Sequence, residues 1–376
     1  MSGVPETILL TGTFFSHNWI LNHLTPLSLS TQVKKIILVT TFPINPINKV
    51  TIKAPPKILI NLLGEVPSRL LYFMVCAFKY KPDVIGGFHL LLNGLLASFL
   101  ARLIRAKSIY ICGGGPREVL DGGIHASRLF SLIGAPDPIM EKKLIRAVNT
   151  FDAVVTMGPN AIKFFKQHGV KSKFVIIPGG IDRRKFRPDK TIQKEFDCIF
   201  VGRMDRVKRI DIYIDMVALL KKRFRTILAL IIGTGELKDE LHALVEKKDL
   251  KKEILFLGYQ ADVVTWLNKS KLFFITSDSE GLPLALMEAM SCGLPCIASN
   301  VGEIGELLEH GKNGFLVDTR NPEEFAKYAS KLLQDKNLYK TFSRNAELAA
   351  AKLDIINSAK RWDDLLSNLG KAVGGE

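Results

Sequence analysis

Paired cysteines are missing from this chain. Its five cysteines, at 76, 112, 198, 292 and 296, contain no CxxC spacing. That excludes a disulfide framework and a thiolate zinc site, and it fits a reducing compartment. Long apolar runs are missing too. A membrane span needs roughly 20 uninterrupted apolar residues. The nearest approach, "GGFHLLLNGLLASFLARLI" (86–104), is broken by His89, Asn93 and Arg102 and reads as a buried amphipathic helix. The opening "MSGVPETILL" has no basic region ahead of a long apolar stretch, so no signal peptide is expected. Low-complexity segments and short repeats are absent as well.

Acidic residues are scarce in the first half alone. Residues 1–188 hold 24 Lys and Arg against 9 Asp and Glu, whereas residues 189–376 hold 28 against 28. The whole net charge of +15 therefore lies in the first half. A field that lopsided attracts an anionic partner: a lipid surface, a nucleic acid or a phosphorylated substrate. No groove-reading motif is present and the aromatics are not interleaved with the basic clusters, which argues against nucleic acid.

What is present is a repeated alternation of strand and helix. With 376 residues, of which 47% are apolar, the chain is too long for one ordinary core and suits two. In the first half, residues 7–12, 34–42, 82–88, 107–113, 151–158 and 173–180 read as buried strands bounded by Gly or Pro. In the second half, residues 196–203, 226–235, 253–260, 272–281, 295–302 and 314–318 do the same. Helical periodicity lies between them, at 209–224, 261–270, 283–293 and 322–335 among others. Such alternation gives parallel sheets covered on both faces, here two doubly wound α/β domains. The junction is placed near "GGIDRRKFRPDK" (179–190), with domains of 1–188 and 189–357 and a closing helix over 358–376. Open parallel sheets bind ligands at the carboxyl ends of their strands.

Several stretches at those ends carry chemistry. In "FVGRMDRVKRID" a strand ends at Gly202, and Arg203 and Lys208 follow before a helix near Ile210. Paired cations there suit a diphosphate, although a solvated basic turn has the same composition. In "IIGTGELKDEL", Gly233 and Gly235 lie between strand and helix, where backbone N–H groups can face a phosphate or simply make a tight turn. "SDSEGLPLALMEAMSCG" reads as loop then helix, with Pro283 in the first turn and Gly293 past the end. The amides of Gly281 to Leu284 then form a positive helix end, with Glu280 before it. Glu288 sits among Leu284, Met287 and Met290, a partly buried acid that needs donors such as vicinal sugar hydroxyls.

Taken together, "VGRMDRVKRID", "IIGTGEL", "FLGYQ", "SDSEGLPLALMEAMSCGLPCIASNVGEIGELLEHGKNGFLVD" and "IPGGIDRRKFRP" resemble the signatures of the retaining, nucleotide-sugar-dependent glycosyltransferases of the GT-B fold, family four, in order and spacing. The resemblance is close over about residues 174–335 and looser upstream. It implies two Rossmann-like domains facing across a cleft, with the last helix crossing back to the first domain. It implies that Glu280 contacts hydroxyls of the transferred sugar and helps hold charge at the anomeric carbon. Glu288 would bind the ribose, Arg203 and Lys208 the diphosphate, and the amides of Gly281, Leu282 and Leu284, around Pro283, would add donors. Gly233 would also border the donor. No Asp-x-Asp metal motif is needed and no cofactor is implied, because cations and a helix end supply the electrostatics. Transfer would proceed with retention, by front-face attack, with the leaving diphosphate taking the acceptor's proton.

The chain departs from the family pattern in places. "TGTFFSHNW" lacks the usual paired glycines, which weakens a closing-loop role for Gly12. "YICGGGPREV" stands where a histidine is common, so Gly113 and Gly114 are candidates for backbone close to the donor. His89 is one residue out of step with another family histidine, and a core or helix-start role competes with a catalytic one. Glu303 replaces a usual glycine. The basic first domain would bind a lipid-linked or glycan acceptor, and "KAPPKILINLLGEVPSRLLYFMVCAFKYK" (53–81) suits an anionic membrane on the cytoplasmic face. A glycoside phosphorylase, a nucleotide-sugar 2-epimerase and a non-catalytic sensor or scaffold subunit share these features.

Overall fold

The computed structural model describes residues 6–14, 16–124 and 135–371. The chain folds as two compact units, one comprising residues 1–180 and 355–376, the other residues 181–354. The boundary thus falls at 180/181 rather than 188/189. The reason is packing: Ile181 and Phe186 are buried in the core of the second unit beside Leu286, Met290 and Cys292.

In the first unit, seven parallel strands lie in the order β3-β2-β1-β4-β5-β6-β7. They are β1 (Thr7–Thr11), β2 (Lys35–Val39), β3 (Val50–Lys53), β4 (Val84–Phe88), β5 (Lys107–Cys112), β6 (Ala153–Thr156) and β7 (Phe174–Ile176). Leu9, Ile37, Val39 and Ile85 are buried under the helices Glu65–Tyr80 and Leu95–Ile104. Further along the same face, Tyr110, Cys112 and Val154 meet Leu144, Phe151 and Phe165. Strands covered on both faces need continuous apolar runs, and β2 and β4 supply them. The first strand not read from the sequence is β3, a four-residue edge strand of half-buried residues. The last helix, Ile355–Lys371, belongs to this unit. There it meets the segment at Asn22, whose carbonyl accepts from Gly180 N (2.8 Å), while Ser358 Oγ donates to Gly179 O. The expected closing helix over 358–376 starts three residues earlier, at Ile355; residues 372–376 lie outside the described residues.

The second unit has six parallel strands in the order β10-β9-β8-β11-β12-β13. These are β8 (Phe196–Val201), β9 (Ala229–Ile232), β10 (Ile254–Gly258), β11 (Ser270–Ile275), β12 (Cys296–Ser299) and β13 (Gly314–Val317). Phe200, Tyr213 and Phe274 fill one face and Phe273, Met287 and Met290 the other. Each fully buried side chain of this size contributes roughly 1.5–3 kcal/mol. Both sheets reverse their strand order beside the central strand, at β1/β4 and at β8/β11. Loops leaving two such strands on opposite sides open a crevice, which is where open α/β sheets hold ligands.

Candidate active site

At β8/β11, residue pairing sets Phe200 beside Phe274. The loops that follow are therefore neighbours, and the chain's distant acid and base meet there. Lys208 closes a short turn after β8, its N–H accepted by the Asp205 carboxylate (3.2 Å) and its carbonyl accepting from Thr276 Oγ1 (2.9 Å). Held in this way, Lys208 Nζ donates to Glu280 Oε1 at 2.6 Å. Ser277 Oγ donates to the same oxygen at 2.6 Å. The pair is largely shielded, with Lys208 20% and Glu280 10% exposed. Arg203 lies further out, 64% exposed, and pairs with Asp205 (3.0 Å).

Glu280 is pinned from below by glycine. Gly302 has φ +60, and a Cβ there would lie 1.9 Å from the Glu280 carbonyl oxygen. Glu303 N donates to Gly281 O at 3.0 Å. Gly233 plays a similar packing part: a Cβ there would sit 1.8 Å from Gly202 O, so its absence lets the turns after β8 and β9 touch. Backbone packing accounts for Gly233, with no need of a ligand.

The helix Leu284–Ser291 starts one residue later than the sequence suggested. Pro283 precedes it as the cap, with φ −66 and ψ 126, and its carbonyl accepts from Leu286 N and Met287 N. A proline at the cap has no N–H to satisfy, and among the described residues none accepts from the amides of Gly281, Leu282 or Leu284. These donors form the positive end of the helix dipole. Gly293, with φ +72, ends the helix as expected, Leu294 N returning to Ala289 O at 3.0 Å. Glu288, in the second turn, is 4% exposed, and its carboxylate has no hydrogen-bond partner among the described residues. Burial pushes it up to about 8, only weakly opposed by Lys185. Burial thus favours its protonated form.

The first unit has its own cluster at the β1/β4 reversal. His89 follows β4 and caps the start of the short helical turn Leu90–Gly94, so the helix-start reading holds and the core reading does not: its side chain is 32% exposed and its ring stacks on Trp19. Its Nδ1 lies 3.0 Å from Glu118 Oε1. Gly113 and Gly114 follow β5. A Cβ on Gly113 would meet Trp19 at 3.0 Å and His89 at 3.3 Å, and one on Gly114 would meet Glu118 at 3.0 Å. The space beside these glycines is thus filled by the chain's own side chains. Gly12, at the end of β1, is hemmed in by Phe14 and Phe88. Nearby, the buried Arg69 donates to Thr11, Thr13 and Asn93. Its burial lowers it to about 10. Sequence reasoning missed Glu118 and Arg69 because they bond His89, Leu90, Thr11 and Asn93 far off in the chain, and it missed Ser277 because nothing in the sequence sets this hydroxyl apart from the other polar residues of the loop before Glu280. Among the described residues, no cluster of three or more His, Cys, Asp or Glu is suited to a metal ion.

Residues 182–349 match the family model described as Glycosyl transferases group 1. This part of the chain is a group 1 glycosyl transferase domain. It contains Arg203, Lys208, Glu280 and Glu288. The chain is 31% identical over 175 residues to N-acetyl-alpha-D-glucosaminyl L-malate synthase of Bacillus anthracis, a match covering 44% of this chain and 45% of that one. It is 31% identical over 180 residues to UDP-Gal:alpha-D-GlcNAc-diphosphoundecaprenol alpha-1,3-galactosyltransferase of Escherichia coli, covering 44% and 46%. Three curated relatives of this glycosyl transferase domain are spanned over only 45% to 62% of their length. Among solved structures, Anabaena Alr3699/HepE in complex with UDP superposes with a TM-score of 0.73 at 18% identity, over 96% of this chain and 100% of that one. With the two parallel sheets, that likeness gives the GT-B fold.

Proposed function

We propose that the protein is a retaining hexosyltransferase that moves a sugar from a UDP- or GDP-sugar to a lipid-linked or polysaccharide acceptor at the cytoplasmic face of a membrane. The observation that carries this reading is the Lys208–Glu280–Ser277 cluster at the start of a helix whose second turn buries an unpartnered Glu288. The printed names of the relatives lend support: one takes UDP-galactose to a diphosphoundecaprenol acceptor, and the Anabaena structure holds UDP.

In this reading Lys208 is shared. In the free protein it neutralises Glu280; with donor bound it meets the diphosphate, and Glu280 turns to the sugar hydroxyls and the positive charge growing at the anomeric carbon. Arg203 and the amides of Gly281, Leu282 and Leu284 take the rest of the leaving group's charge, without a resident metal. The acceptor hydroxyl attacks from the face the diphosphate leaves and passes its proton to it. Vicinal ribose hydroxyls supply the donors that Glu288 lacks.

The membrane part rests on the first unit. No residue of the helix Lys57–Leu63 is buried, and Ile58 and Leu62 are 82% and 78% exposed. Leu71, Val75 and Phe78 line one face of Glu65–Tyr80, and Phe99 and Leu103 one face of Leu95–Ile104, all exposed. Lys57, Lys79, Lys81, Arg102 and Arg105, all exposed, lie on or next to the same helices, with Glu65 the one acid in residues 53–81. Exposed apolar side chains interspersed with cations suit an anionic lipid surface. No helix among the described residues is long and apolar enough to cross a membrane.

The test is a panel of UDP- and GDP-sugars, with thermal stabilisation and nucleotide release read together, with and without vesicles of anionic lipid extract. One nucleotide family stabilises the protein and is released when lipid is added. Lys208→Ala lowers release by about 100- to 1000-fold with the melting point retained. Near-wild-type release by that variant, or silence across the panel, sinks the reading; sugar phosphate made without nucleotide would point to a phosphorylase, and isomerised donor without acceptor to an epimerase.

A further inference from the structure

Glu118 has no part in the family signatures, yet it is the most completely bonded carboxylate described in the first unit. It is 2% exposed. Its Oε1 accepts from Gly114 N at 2.6 Å and lies 3.0 Å from His89 Nδ1. Its Oε2 accepts from Leu90 N and from Tyr110 Oη, both at 2.8 Å. The backbone of His89 is unusual as well. It has φ +65 and ψ 145, a strained conformation for a residue with a side chain. It is held there by two bonds: its N–H donates to Ile111 O, and its carbonyl accepts from Gly94 N, both at 3.0 Å. A glycine would sit there more cheaply. The strain has one visible result, which is where the imidazole points. One nitrogen faces the sealed carboxylate. The other, Nε2, has no hydrogen-bond partner among the described residues and is not among the buried polar atoms left unpaired. The ring is open on that side.

We propose that Glu118 is a positioning residue for His89: its carboxylate holds the Nδ1 proton, fixes the ring against Trp19, and leaves Nε2 to donate a hydrogen bond to an oxygen of the bound sugar or acceptor. The part that names the substrate oxygen rests on the transferase reading above; the orientation of the ring does not. Two consequences follow for charge. Burial disfavours the His89 cation, but the Glu118 carboxylate outweighs it and holds the ring above its ordinary 6.5. Burial likewise opposes the Glu118 anion, and His89, together with the bonds from Gly114 and Tyr110, holds it below its ordinary 4.5. The other titratable groups around the ring are His23, buried and lowered to about 3 first by burial and then by His89, and Tyr110, raised by burial, which reaches it through Glu118. None of these supplies a competing anion near neutrality. Both shifts favour the ion pair, the form in which Nε2 carries a hydrogen.

The experiment uses the whole chain with nitrogen-15 in its histidines. His89 is assigned by the signal lost in His89→Asn. In the wild type, His89 titrates above 6.5 and its neutral form keeps the proton on Nδ1; in Glu118→Gln the titration falls. A wild-type value at or below 6.5, or a titration unmoved by Glu118→Gln, overturns the proposal. If Glu118→Gln does not fold, the wild-type titration and tautomer decide alone. Activity adds the second arm. Glu118→Gln loses about 10- to 100-fold in nucleotide release. The loss is larger at pH 8 than at pH 6, Glu118→Asp recovers part of it, and Glu118→Gln costs nothing further in a His89→Asn background. An equal loss at every pH that adds to His89→Asn would make Glu118 a loop brace and nothing more. If the wild type transfers no sugar, the transferase reading falls while the titration still judges the pair.

Discussion

Glu118 and Glu288 are buried to nearly the same degree, one in each unit, and they are held in opposite ways. Glu118 is surrounded by four donors and sits below the usual carboxylate range. Glu288 has no hydrogen-bond partner among the described residues and sits near 8. Burial alone favours the neutral acid in both. The difference lies in what the fold provides. Around Glu118 the chain spends two backbone amides, a tyrosine and a histidine, so the anion is complete before any ligand arrives. Around Glu288 it provides apolar neighbours and leaves the donors to come from outside. A buried acid with all its bonds made orients something else; one with none awaits a partner.

The largest effect that would sharpen this contrast is Glu118→Leu. It orphans donors that each cost about 1–3 kcal/mol when buried without an acceptor. The first unit should lose about 3 kcal/mol or more, read by urea unfolding and by faster amide exchange in β4 and β5. A loss under about 1 kcal/mol would mean that water replaces the carboxylate, and the contrast would break.

Replacing Glu288 should act the other way on stability. Its raised value in the fold means the protonated form is favoured by folding, so its stabilising contribution is intact below about 4.5 and is lost as pH rises through about 8. Glu288→Gln should therefore melt close to wild type at pH 5 and above it at pH 9, by a few degrees. The same variant should bind donor nucleotide at least about tenfold more weakly, since one buried partner of the ligand hydroxyls is gone. A melting difference that stays flat with pH would show that Glu288 is already ionised in the fold. The smallest effect is calorimetric. If ligand hydroxyls draw the carboxylate into its ionised form, nucleotide binding at pH 7 should release a fraction of a proton, seen as a dependence on buffer ionisation enthalpy and absent in Glu288→Gln.

Much of this was legible in the sequence. The twelve strands whose apolar runs are bounded by Gly or Pro all appear, because strands buried on both faces announce themselves without regard to neighbours. The edge strand Val50–Lys53 did not, since its residues are only half-buried and alternate with no clear face. The helix Lys57–Leu63 went unread for a related reason: it has no buried side to impose a period. Lys208 and Glu280 were legible from their local settings, but Ser277 became visible as a partner only once the loop after β11 had closed on Glu280. Glu118 stood in plain view in "GGGPREV", yet its partners His89 and Leu90 lie 29 and 28 residues away on another strand's loop. Gly113 and Gly114 read as candidates for backbone close to a donor, and what the sequence does not show is that the space a Cβ would take there is filled by Trp19, His89 and Glu118.

The first unit is made of two pieces of chain, residues 1–180 and 355–376, with the whole of the second unit between them. On a ribosome adding about 5–20 residues per second, the second unit takes on the order of 10–30 s to emerge. Throughout that interval the helix His17–Leu29 waits without Ile355–Lys371, whose Trp362, Leu365 and Leu366 are buried in the finished fold. The second unit, continuous in sequence, can finish first although it is made later. A nascent chain therefore carries an uncovered apolar face for most of its synthesis, and that face is the natural place for a chaperone to act.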